Sequence, residues 1–341
     1  MSAIGIDTHK ATLAACRVDE LDRPAAEATF DNDPPGHRRL LAWIRLGDPA
    51  DVVGIEGSAS FGAAVARLLV GAGVNVREVP PQLTRRERAT TRRLGKSDPG
   101  DALAIARVTA READLPPVRL ADRTLDLQLL VKAREDVVVE MTRVRNRLHA
   151  DLRSLLPGYG ARAANLVAVR HQRLVGRLLR PLVGVQAELA RRRLARLRAL
   201  GLEERAFTSR IAALVEGHPL LALPGVGPVI TAGLVGEIGD IRRFRSVDAL
   251  AALAGVAPIP ASSGQTQRMR LNRGGNRQLN RAFHIIALAQ AAHHPPAQAY
   301  LARKRAEGKT RREALRCLKR RLVRPVFNLL QAGAAEATRA A

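Results

Sequence analysis

The chain has 341 residues, of which 46% are hydrophobic but only 3% aromatic, so its interior must be built mainly from aliphatic side chains and alanine. This length favours two or three domains, because a single hydrophobic core rarely serves so many residues. The opening residues lack the basic start and apolar stretch of a secretory leader, and no uncharged apolar run approaches the ~20 residues that span a bilayer, so we expect a soluble, cytoplasmic protein.

The net charge of +24 predicts a polyanionic partner, with nucleic acid first among the candidates. Arginine supplies 50 of the 56 basic residues. A GC-rich genome explains this preference for arginine over lysine, but it does not explain the excess of bases over acids. Residues 1–60 carry a net charge of −4 and residues 61–341 one of +28. An acidic beginning followed by a basic remainder suits a metal site to which DNA or RNA is brought.

The first third of the chain predicts an α/β domain with a mixed sheet, closing near Pro116. Two short apolar strands flank a turn at residues 8–10, and a third strand ends near Phe30. Pro34 then opens a helix, since proline is favoured in the first helical turn. The pattern continues as a strand over residues 51–56, a helix over 61–70 and a strand over 74–79. We place this domain at residues 1–117.

Residues 118–216 are expected to form a second, helical region. Apolar side chains recur there at three- and four-residue spacing, at Leu127, Leu130, Val137, Met141, Val144 and Leu148. This periodicity predicts one long amphipathic helix of the kind found in coiled coils. Such an arm serves either oligomerisation or packing on its own chain, and the sequence does not distinguish the two.

The third region, residues 217–341, is predicted to be mainly helical and begins with a glycine-rich turn, Leu223-Pro224-Gly225-Val226-Gly227-Pro228. A turn of this kind between two apolar helical stretches has the form of a helix-hairpin-helix, in which backbone N–H groups approach a phosphate. Gly225 and Gly227 are therefore candidate nucleic-acid contacts. The alternative is a turn without a ligand, because proline–glycine turns are common between helices.

Two predicted strands end alike, each delivering an acid after a Gly-Ile pair: Gly5-Ile6-Asp7 and Gly54-Ile55-Glu56. If these strands are parallel neighbours, both carboxylates emerge at one edge of the sheet, where ligands bind in open α/β folds. Two close carboxylates repel each other unless a cation lies between them, and Mg²⁺ is a natural occupant of such a site. Taken singly, each acid is better explained as the start of a loop.

Asp98 and Asp101 form a second acidic pair, three residues apart and therefore on one side of a helix. Local structure alone explains this pair, with Asp98 as the N-cap, Pro99 as the first helical residue and Asp101 as an acid in the first turn. The two roles are compatible, because the start of a helix can also present acids to a metal ion.

The order Asp, Glu, Asp-x-x-Asp resembles the DEDD transposases of bacterial insertion sequences. The strings that carry the resemblance are Ile4-Gly5-Ile6-Asp7-Thr8-His9-Lys10, Gly54-Ile55-Glu56 and Lys96-Ser97-Asp98-Pro99-Gly100-Asp101-Ala102. The resemblance implies an N-terminal domain of the RNase H-like, RuvC-like type. It also implies that Asp7, Glu56, Asp98 and Asp101 are catalytic ligands of two Mg²⁺ ions, which polarise the scissile phosphate. Mn²⁺ would suit the same ligands.

The C-terminal region extends this resemblance. Gly255-Val256-Ala257-Pro258 and then Ser262-Ser263-Gly264 resemble the second domain of the same transposases, in which a serine before a glycine is the nucleophile. The matching position is Ser263, and the adjacent Ser262 is the alternative. From the residues alone the segment is an ordinary serine–glycine turn. No Ser-His-Asp spacing is visible nearby, and we expect His284 to pack in the core, so activation would come from the metal site.

Basic residues surround this serine and are expected to clamp phosphates. They are Arg268, Arg270, Arg273, Arg277 and Arg281, and Asn276 is expected to add a polar contact. A basic helix follows between Lys309 and Arg324. A solvated face is its default explanation, and the charge excess favours nucleic acid instead. With few aromatic residues to stack on bases, contact with the nucleic-acid backbone should dominate.

Together these features predict an insertion-sequence transposase that cuts and rejoins DNA through a transient phosphoserine, assisted by Mg²⁺. The resemblance further implies a structured guide RNA that pairs with donor and target DNA, and a homo-oligomer, dimer to tetramer, at the bacterial nucleoid. One rival is a metal-dependent hydrolytic nuclease of the resolvase type, in which Ser263 is purely structural. The other is a non-catalytic nucleic-acid-binding protein, against which the acids at all four matched positions argue.

Overall fold

The computed structural model describes residues 2–47, 52–90, 98–118, 123–163, 165–260, 269–270, 272 and 274–340. The chain divides into two compact units, Met1–Asp122 and Arg123–Ala341. The helical region expected at residues 118–216 and the region expected after it both fall, almost entirely, in the second unit. In the described part of the chain, no helix is both long and apolar enough to cross a lipid bilayer.

The first unit is built on a five-stranded sheet with the strand order β3-β2-β1-β4-β5. Its strands are β1 (Ala3–Thr8), β2 (Thr12–Val18), β3 (Pro24–Asp31), β4 (Val52–Glu56) and β5 (Val76–Glu78). β2 runs antiparallel to both β1 and β3, while β4 runs parallel to both β1 and β5. The mixed α/β sheet predicted from the sequence is therefore confirmed.

Four helices accompany this sheet: α1 (Pro34–Arg45), α2 (Ala63–Gly71), α3 (Pro81–Thr90) and α4 (Asp98–Arg111). Side chains alternate along β1, so that Ile4 and Ile6 lie on one face of the sheet while Ala3 and Gly5 lie on the other. The aliphatic face packs against α1 and α2. The opposite face carries small side chains and packs against α4.

Helix α4 lies close to the sheet because glycine occupies the facing position in both central strands. A Cβ atom on Gly5 would lie 2.3 Å from the carbonyl oxygen of Ala102 and 2.2 Å from the amide nitrogen of Ala106, both in the backbone of α4. A Cβ atom on Gly54 would lie 1.9 Å from Oγ1 of Thr109 in the same helix. Gly5 and Gly54 are register partners. We call this pair the glycine seat of α4.

The second unit begins with two long helices, α5 (Arg123–Leu155) and α7 (Val185–Leu214), and the shorter α6 (Val169–Leu179) lies between them in sequence. Three ion pairs show that α5 and α7 are antiparallel: Arg134 with Glu204, Arg196 with Glu140, and Arg193 with Asp151. Leu148 and Leu152 of α5 share a core with Val175 of α6 and Leu194 of α7. This helical arm therefore packs on its own chain, and a role in oligomerisation stays a proposal.

The remainder of the second unit is mainly helical. Its elements are α8 (Pro228–Ile238), α9 (Val247–Leu253), β6 (Ile259–Pro260), β7 (Met269–Arg270), α10 (Arg277–His293), α11 (Pro295–Ala306) and α12 (Arg311–Ala340). Phe283 and Ile286 of α10 are buried in its core. His284 is exposed, so the prediction that it packs in the core is wrong. The buried residues of α10 recur at three- and four-residue spacing, so one face of the helix enters the core, and His284 lies outside that face.

The glycine-rich turn leads into α8 from a single 3₁₀ turn at Pro219–Ala222, where the sequence had suggested a longer helical stretch. Gly225 has a φ of +80°, and a Cβ atom on it would lie 2.9 Å from the Cβ of Ala289 in α10. The side chain of Gln290 donates to the carbonyl oxygen of Pro224 at 2.8 Å. The positive φ and the close packing against α10 therefore explain why residue 225 is a glycine. Gly227, in contrast, faces open space at the start of α8.

The glycine seat predicts that one added methyl group will destabilise the fold at Gly5 but not at a glycine with open space around it. Gly5→Ala should lower the free energy of unfolding by about 3 kcal/mol, because the new Cβ overlaps backbone atoms of α4 that cannot rotate away. The matched control is Gly71→Ala at the end of α2, where a Cβ meets no atom within 4 Å. The control should change stability by no more than ~1 kcal/mol, in the stabilising direction. Urea denaturation followed by circular dichroism measures both, and equal stability of the two variants would contradict the seat.

Candidate active site

Two acids meet at the ends of the central strands. β1 and β4 are parallel neighbours, and Asp7 is the register partner of Glu56. The hydroxyl of Thr8 donates to the carbonyl oxygen of Glu56 at 2.9 Å and ties the two strand ends together. The sequence-based expectation that these strands are adjacent and parallel is therefore confirmed, and both acids lie on the face of the sheet that packs against α4.

Helix α4 brings a third acid to this edge. Asp101 stands in its first turn and is 5% exposed. Asp98 is the first residue of the helix, but its side chain lies outside the described residues. The glycine seat fixes how closely α4 approaches the strands that carry Asp7 and Glu56.

Arg88 of α3 lies among these acids. Its Nη1 atom lies 2.7 Å from Oδ1 of Asp101, and this hydrogen bond is the largest of the effects that raise the pKa of Arg88. The charges of Asp101, Glu56 and Asp7 raise that pKa further, while partial burial lowers it. Asp101 therefore binds this guanidinium directly, and the charges of Glu56 and Asp7 at the two strand ends also act on it.

The sequence patterns predicted neither helix α3 nor the two residues, Thr84 and Arg88, that it brings to the acids. The hydroxyl of Thr84, which is fully buried, donates to Oε2 of Glu56 at 2.8 Å and orients that carboxylate. Thr84 and Arg88 are four residues apart and so lie on one side of the helix. The available indication was Pro81, a residue favoured in a first helical turn, followed by this spacing.

His9 is a further neighbour of the acids. Its Nε2 atom lies 3.0 Å from Oδ2 of Asp7, and the Asp7 side chain is 13% exposed. The sequence presented His9 only as part of a turn and of the motif around Asp7. Its contact with Asp7 restricts the orientation of that carboxylate.

Glu78 is a fourth described carboxylate at this edge. It ends β5 beside Ile55 of β4, and its Oε2 atom accepts a hydrogen bond from the amide of Ser58 at 3.2 Å. Burial raises the pKa of Glu78, hydrogen bonds from Ser58 and Gly57 lower it, and the charge of Glu56 raises it again. The net shift is upward, so the fold disfavours the ionised form.

The donor set fits a hard divalent cation, because carboxylate oxygens are the ligands that Mg²⁺ prefers. The negative charges of Asp101, Glu56 and Asp7, which raise the pKa of Arg88, would favour a bound cation in the same way. Among the described residues, no three carboxylate, imidazole or thiol groups are arranged as ligands of one metal ion. Arg88 already binds Asp101, so a cation held by that carboxylate would compete with the guanidinium.

The predicted serine lies outside the described residues, as do Ser262, Arg268 and Arg273. Residues on both sides of that segment are paired, because Ile259 and Pro260 of β6 face Arg270 and Met269 of β7. Arg270 and Arg277 are exposed. Their predicted contact with phosphate stays a prediction.

Two other polar residues of this region are engaged within the protein. The guanidinium of Arg281 pairs with Glu135 of α5, to which Gln278 also donates at 2.9 Å. Asn276 is the N-cap of α10, and its amide donates to Glu237 at 2.6 Å. Asn276 is therefore explained by helix capping, and Arg281 must exchange Glu135 for a phosphate if it is to bind one.

Part of the basic C-terminal helix also packs on its own chain. Lys319 donates to Oδ1 of Asn280 at 2.5 Å, Arg320 pairs with Asp248, and Arg321 lies over the ring of Tyr300 at 4.8 Å from its centroid. These three side chains of α12 are therefore engaged within the protein, and contact of the helix with nucleic acid stays a prediction.

Two family models match separate parts of the chain, and the first of them includes α5. One, described as a transposase of the DEDD type found in IS110, matches residues 4–157. The other, described as the transposase of the IS116/IS110/IS902 family, matches residues 217–302. The chain belongs to the IS110 family of transposases. It is accordingly an enzyme of DNA recombination, and the resemblance seen in its sequence is confirmed at the level of the family.

Two relatives of this IS110-family transposase match along nearly their whole length. An insertion element IS110 uncharacterized 43.6 kDa protein of Streptomyces coelicolor is 28% identical over 97% of this chain and 94% of its own. A mini-circle putative transposase for IS117, from the same species, is 28% identical over 96% of this chain and 93% of its own. Among solved structures, Thermus thermophilus RuvC in complex with a Holliday junction substrate is 21% identical, with a TM-score of 0.28, over 34% of this chain and 99% of that chain.

The raised pKa of Glu78 predicts a pH-dependent effect of Glu78→Gln in this transposase. A raised pKa in the folded state stabilises the fold at low pH, and that contribution is lost as the pH rises from the ordinary value of 4.5 through the raised one. Glutamine keeps an acceptor for Ser58 and does not ionise. The variant should therefore gain stability relative to the wild type as the pH rises from 4 to 7. Thermal unfolding across this range measures the difference, and parallel curves would contradict the assignment.

The position of Arg88 predicts competition between its guanidinium and divalent cations. Arg88→Gln should lower the melting temperature in the presence of a chelator, because three carboxylates lose their counter-cation. Added Mg²⁺ should then stabilise the variant more than the wild type, approaching the ~2.7 kcal/mol expected of a ligand at about 100 times its Kd.

The control for this comparison is Arg111→Gln, which removes an ion-paired arginine from the same unit, bound to Asp22 and Glu87. Its response to Mg²⁺ should equal that of the wild type. An identical Mg²⁺ response in Arg88→Gln and the wild type would exclude competition.

Proposed function

We propose that this transposase cuts and rejoins DNA through a covalent intermediate on Ser263, assisted by divalent metal held by Asp7, Glu56, Asp98 and Asp101. The observation that supports the metal site is the pairing of Arg88 with Asp101, together with the action of the Glu56 and Asp7 charges on the same guanidinium. Membership of a DEDD-type transposase family supports the same assignment. Ser263 rests on the resemblance of its segment to the second domain of these transposases.

Each residue of the carboxylate edge has a defined task in this proposal. Asp7, Glu56 and Asp101, with Asp98, would hold Mg²⁺, or Mn²⁺ in its place. When bound, the metal would polarise the scissile phosphate and stabilise the attacking and leaving oxygens. Thr84 holds the Glu56 carboxylate in place, and His9 does so for Asp7. Until a metal ion binds, Arg88 would neutralise part of the negative charge of these acids.

The serine step balances without an added co-reactant. The Ser263 Oγ atom attacks the phosphorus, an Oγ–P bond forms, and the P–O bond to the leaving deoxyribose oxygen breaks. The serine proton is lost to a base as the leaving oxygen gains one. A second DNA hydroxyl then attacks the phosphoserine, which restores the phosphodiester and the serine. The sequence of steps requires that serine and carboxylates meet, either within one chain or between subunits of an oligomer.

Donor and target DNA and a structured guide RNA complete the proposal. The charge of +28 on residues 61–341 supports contact with polyanions. The resemblance to the DEDD transposases supports the guide RNA, whose pairing with DNA would supply sequence recognition. It also supports a homo-oligomer, dimer to tetramer. Gly227, open at the start of α8, and the exposed Arg270 and Arg277 are the described candidates for phosphate contact.

Trapping of a covalent protein–DNA adduct tests the mechanism. Purified protein with its co-purified RNA is incubated with Mg²⁺ and labelled DNA that spans the end of the element. Ser263→Ala should abolish the adduct, and Asp7→Asn should reduce its rate of formation on the order of 10³-fold or more, because both act on the chemical step. The matched control is Ser262→Ala, which removes the neighbouring hydroxyl and should leave the adduct intact.

Each outcome selects one mechanism. An adduct lost in Ser262→Ala but kept in Ser263→Ala would move the nucleophile by one residue. Cleavage that survives Ser263→Ala without any adduct would replace the proposal with hydrolysis by a metal-dependent nuclease of the resolvase type. DNA binding that needs no metal, with no cleavage in any variant, would indicate a non-catalytic nucleic-acid-binding protein.

A further inference from the structure

A pocket of about 470 Å³ lies on the helical arm of the second unit. It is distant in sequence from the acids and the serine of the proposed mechanism. Its lining residues are Arg173, Gly176, Arg177, Arg180 and Arg198. Each charged side chain in this set is an arginine. We call it the four-arginine pocket.

The local sequence of α6 creates one wall of this pocket. Arg173, Arg177 and Arg180 are spaced by four and then three residues, which places them along one side of the helix. The other side buries Val175 and Leu179 in the core of the arm. Burial of that apolar side therefore holds three guanidinium groups next to one another at the surface.

The fourth arginine comes from α7 and depends on a glycine. Arg198 donates from Nη2 to the carbonyl oxygen of Gln172 at 2.8 Å. A Cβ atom on Gly176 would lie only 2.9 Å from that same Nη2 atom. Glycine weakens a helix interior relative to alanine, and here it leaves the space through which the Arg198 guanidinium reaches α6.

The charges of the pocket are not balanced by acids, unlike those of neighbouring arginines. Arg192 pairs with Glu188 and Arg196 with Glu140, each at 2.8 Å. Within the residues that the structure describes, no acidic side chain lies within ion-pairing distance of the four pocket arginines. Four clustered positive charges repel one another, and a bound anion would relieve that repulsion.

We propose that the four-arginine pocket binds the phosphodiester backbone of a nucleic acid. One guanidinium group can donate two parallel hydrogen bonds to the oxygens of a phosphate. Several guanidinium groups that face one cavity therefore suit consecutive phosphates of a strand. No aromatic side chain is among the described lining residues, so the pocket offers no ring on which a base would stack. It therefore positions a strand without selecting its sequence. This binding needs neither the carboxylate edge nor the serine.

The test compares two double variants of the full-length protein that lose equal charge. Arg173→Gln/Arg177→Gln removes two pocket arginines, and Arg192→Gln/Arg196→Gln removes two ion-paired arginines of α7, again four residues apart. Fluorescence anisotropy measures binding of duplex DNA, single-stranded DNA and an RNA hairpin in the presence of a chelator. Because no cleavage is required, failure of the proposed mechanism does not affect this measurement.

We expect the pocket variant to bind at least one probe several-fold more weakly than the control variant. Its log–log dependence of affinity on salt should be shallower by about 2, since two phosphate contacts are lost. The probe that loses affinity identifies whether DNA or RNA occupies the pocket. Equal affinities and salt dependences of the two variants for all three probes would overturn the proposal.

A second measurement reads the site directly, because other basic surfaces of the protein also contribute to affinity. Bound nucleic acid should protect Arg173, Arg177, Arg180 and Arg198 of the wild type from phenylglyoxal, as read by peptide mass spectrometry. Arg192 and Arg196 should stay reactive. Pocket arginines that react equally with and without nucleic acid, while other arginines are protected, would also overturn it. The variant side chains are exposed, and unchanged thermal melting confirms that both variants fold.

Discussion

Helix α4 lies directly against the backbone of β1 and β4 because the residues that face it, Gly5 and Gly54, have no side chains. Each glycine stands two residues before an acid, on the same face of its strand, so the absence of a Cβ and the direction of the carboxylate share one register. The close approach brings Asp101, in the first turn of α4, towards Asp7 and Glu56. The Gly-Ile-acid repeat therefore encodes both a packing surface and the site at its end, and displacing the helix would separate the acids.

Gathering carboxylates at one edge has an electrostatic cost, which the fold reduces with a cation and with neutral donors. Arg88 lies among three acids, Thr84 donates to Glu56, and the amide of Ser58 donates to Glu78. Burial raises the pKa of Glu78 and so limits the negative charge that the edge carries. These contacts stabilise the acids in the absence of a metal ion, and a divalent cation bound there would compete with Arg88 for Asp101.

The positive charge of the second unit is divided among different uses. Arg134, Arg193 and Arg196 bind acids across α5 and α7 and hold these helices antiparallel. Arg320 and Arg321 pack α12 against its own chain. The four-arginine pocket lacks such partners among the described residues. A count of basic residues thus overstates the surface left for nucleic acid, and the position of each guanidinium decides its use.

Local features of the sequence determined the five strands of the first unit, most of the helices, the two acids at strand ends and the resemblance that gave the family. These depend on spacing along the chain, as in the alternation of β1 and the apolar period of α5. Only the tertiary structure placed Arg88 and Thr84 beside the acids, paired Arg281 with Glu135 of α5, and turned His284 towards solvent. Helix α3 is polar and short, so it offers little periodicity to detect. Partners such as Arg281 and Glu135 are far apart in sequence, and no local pattern records an encounter that the packing of whole helices creates.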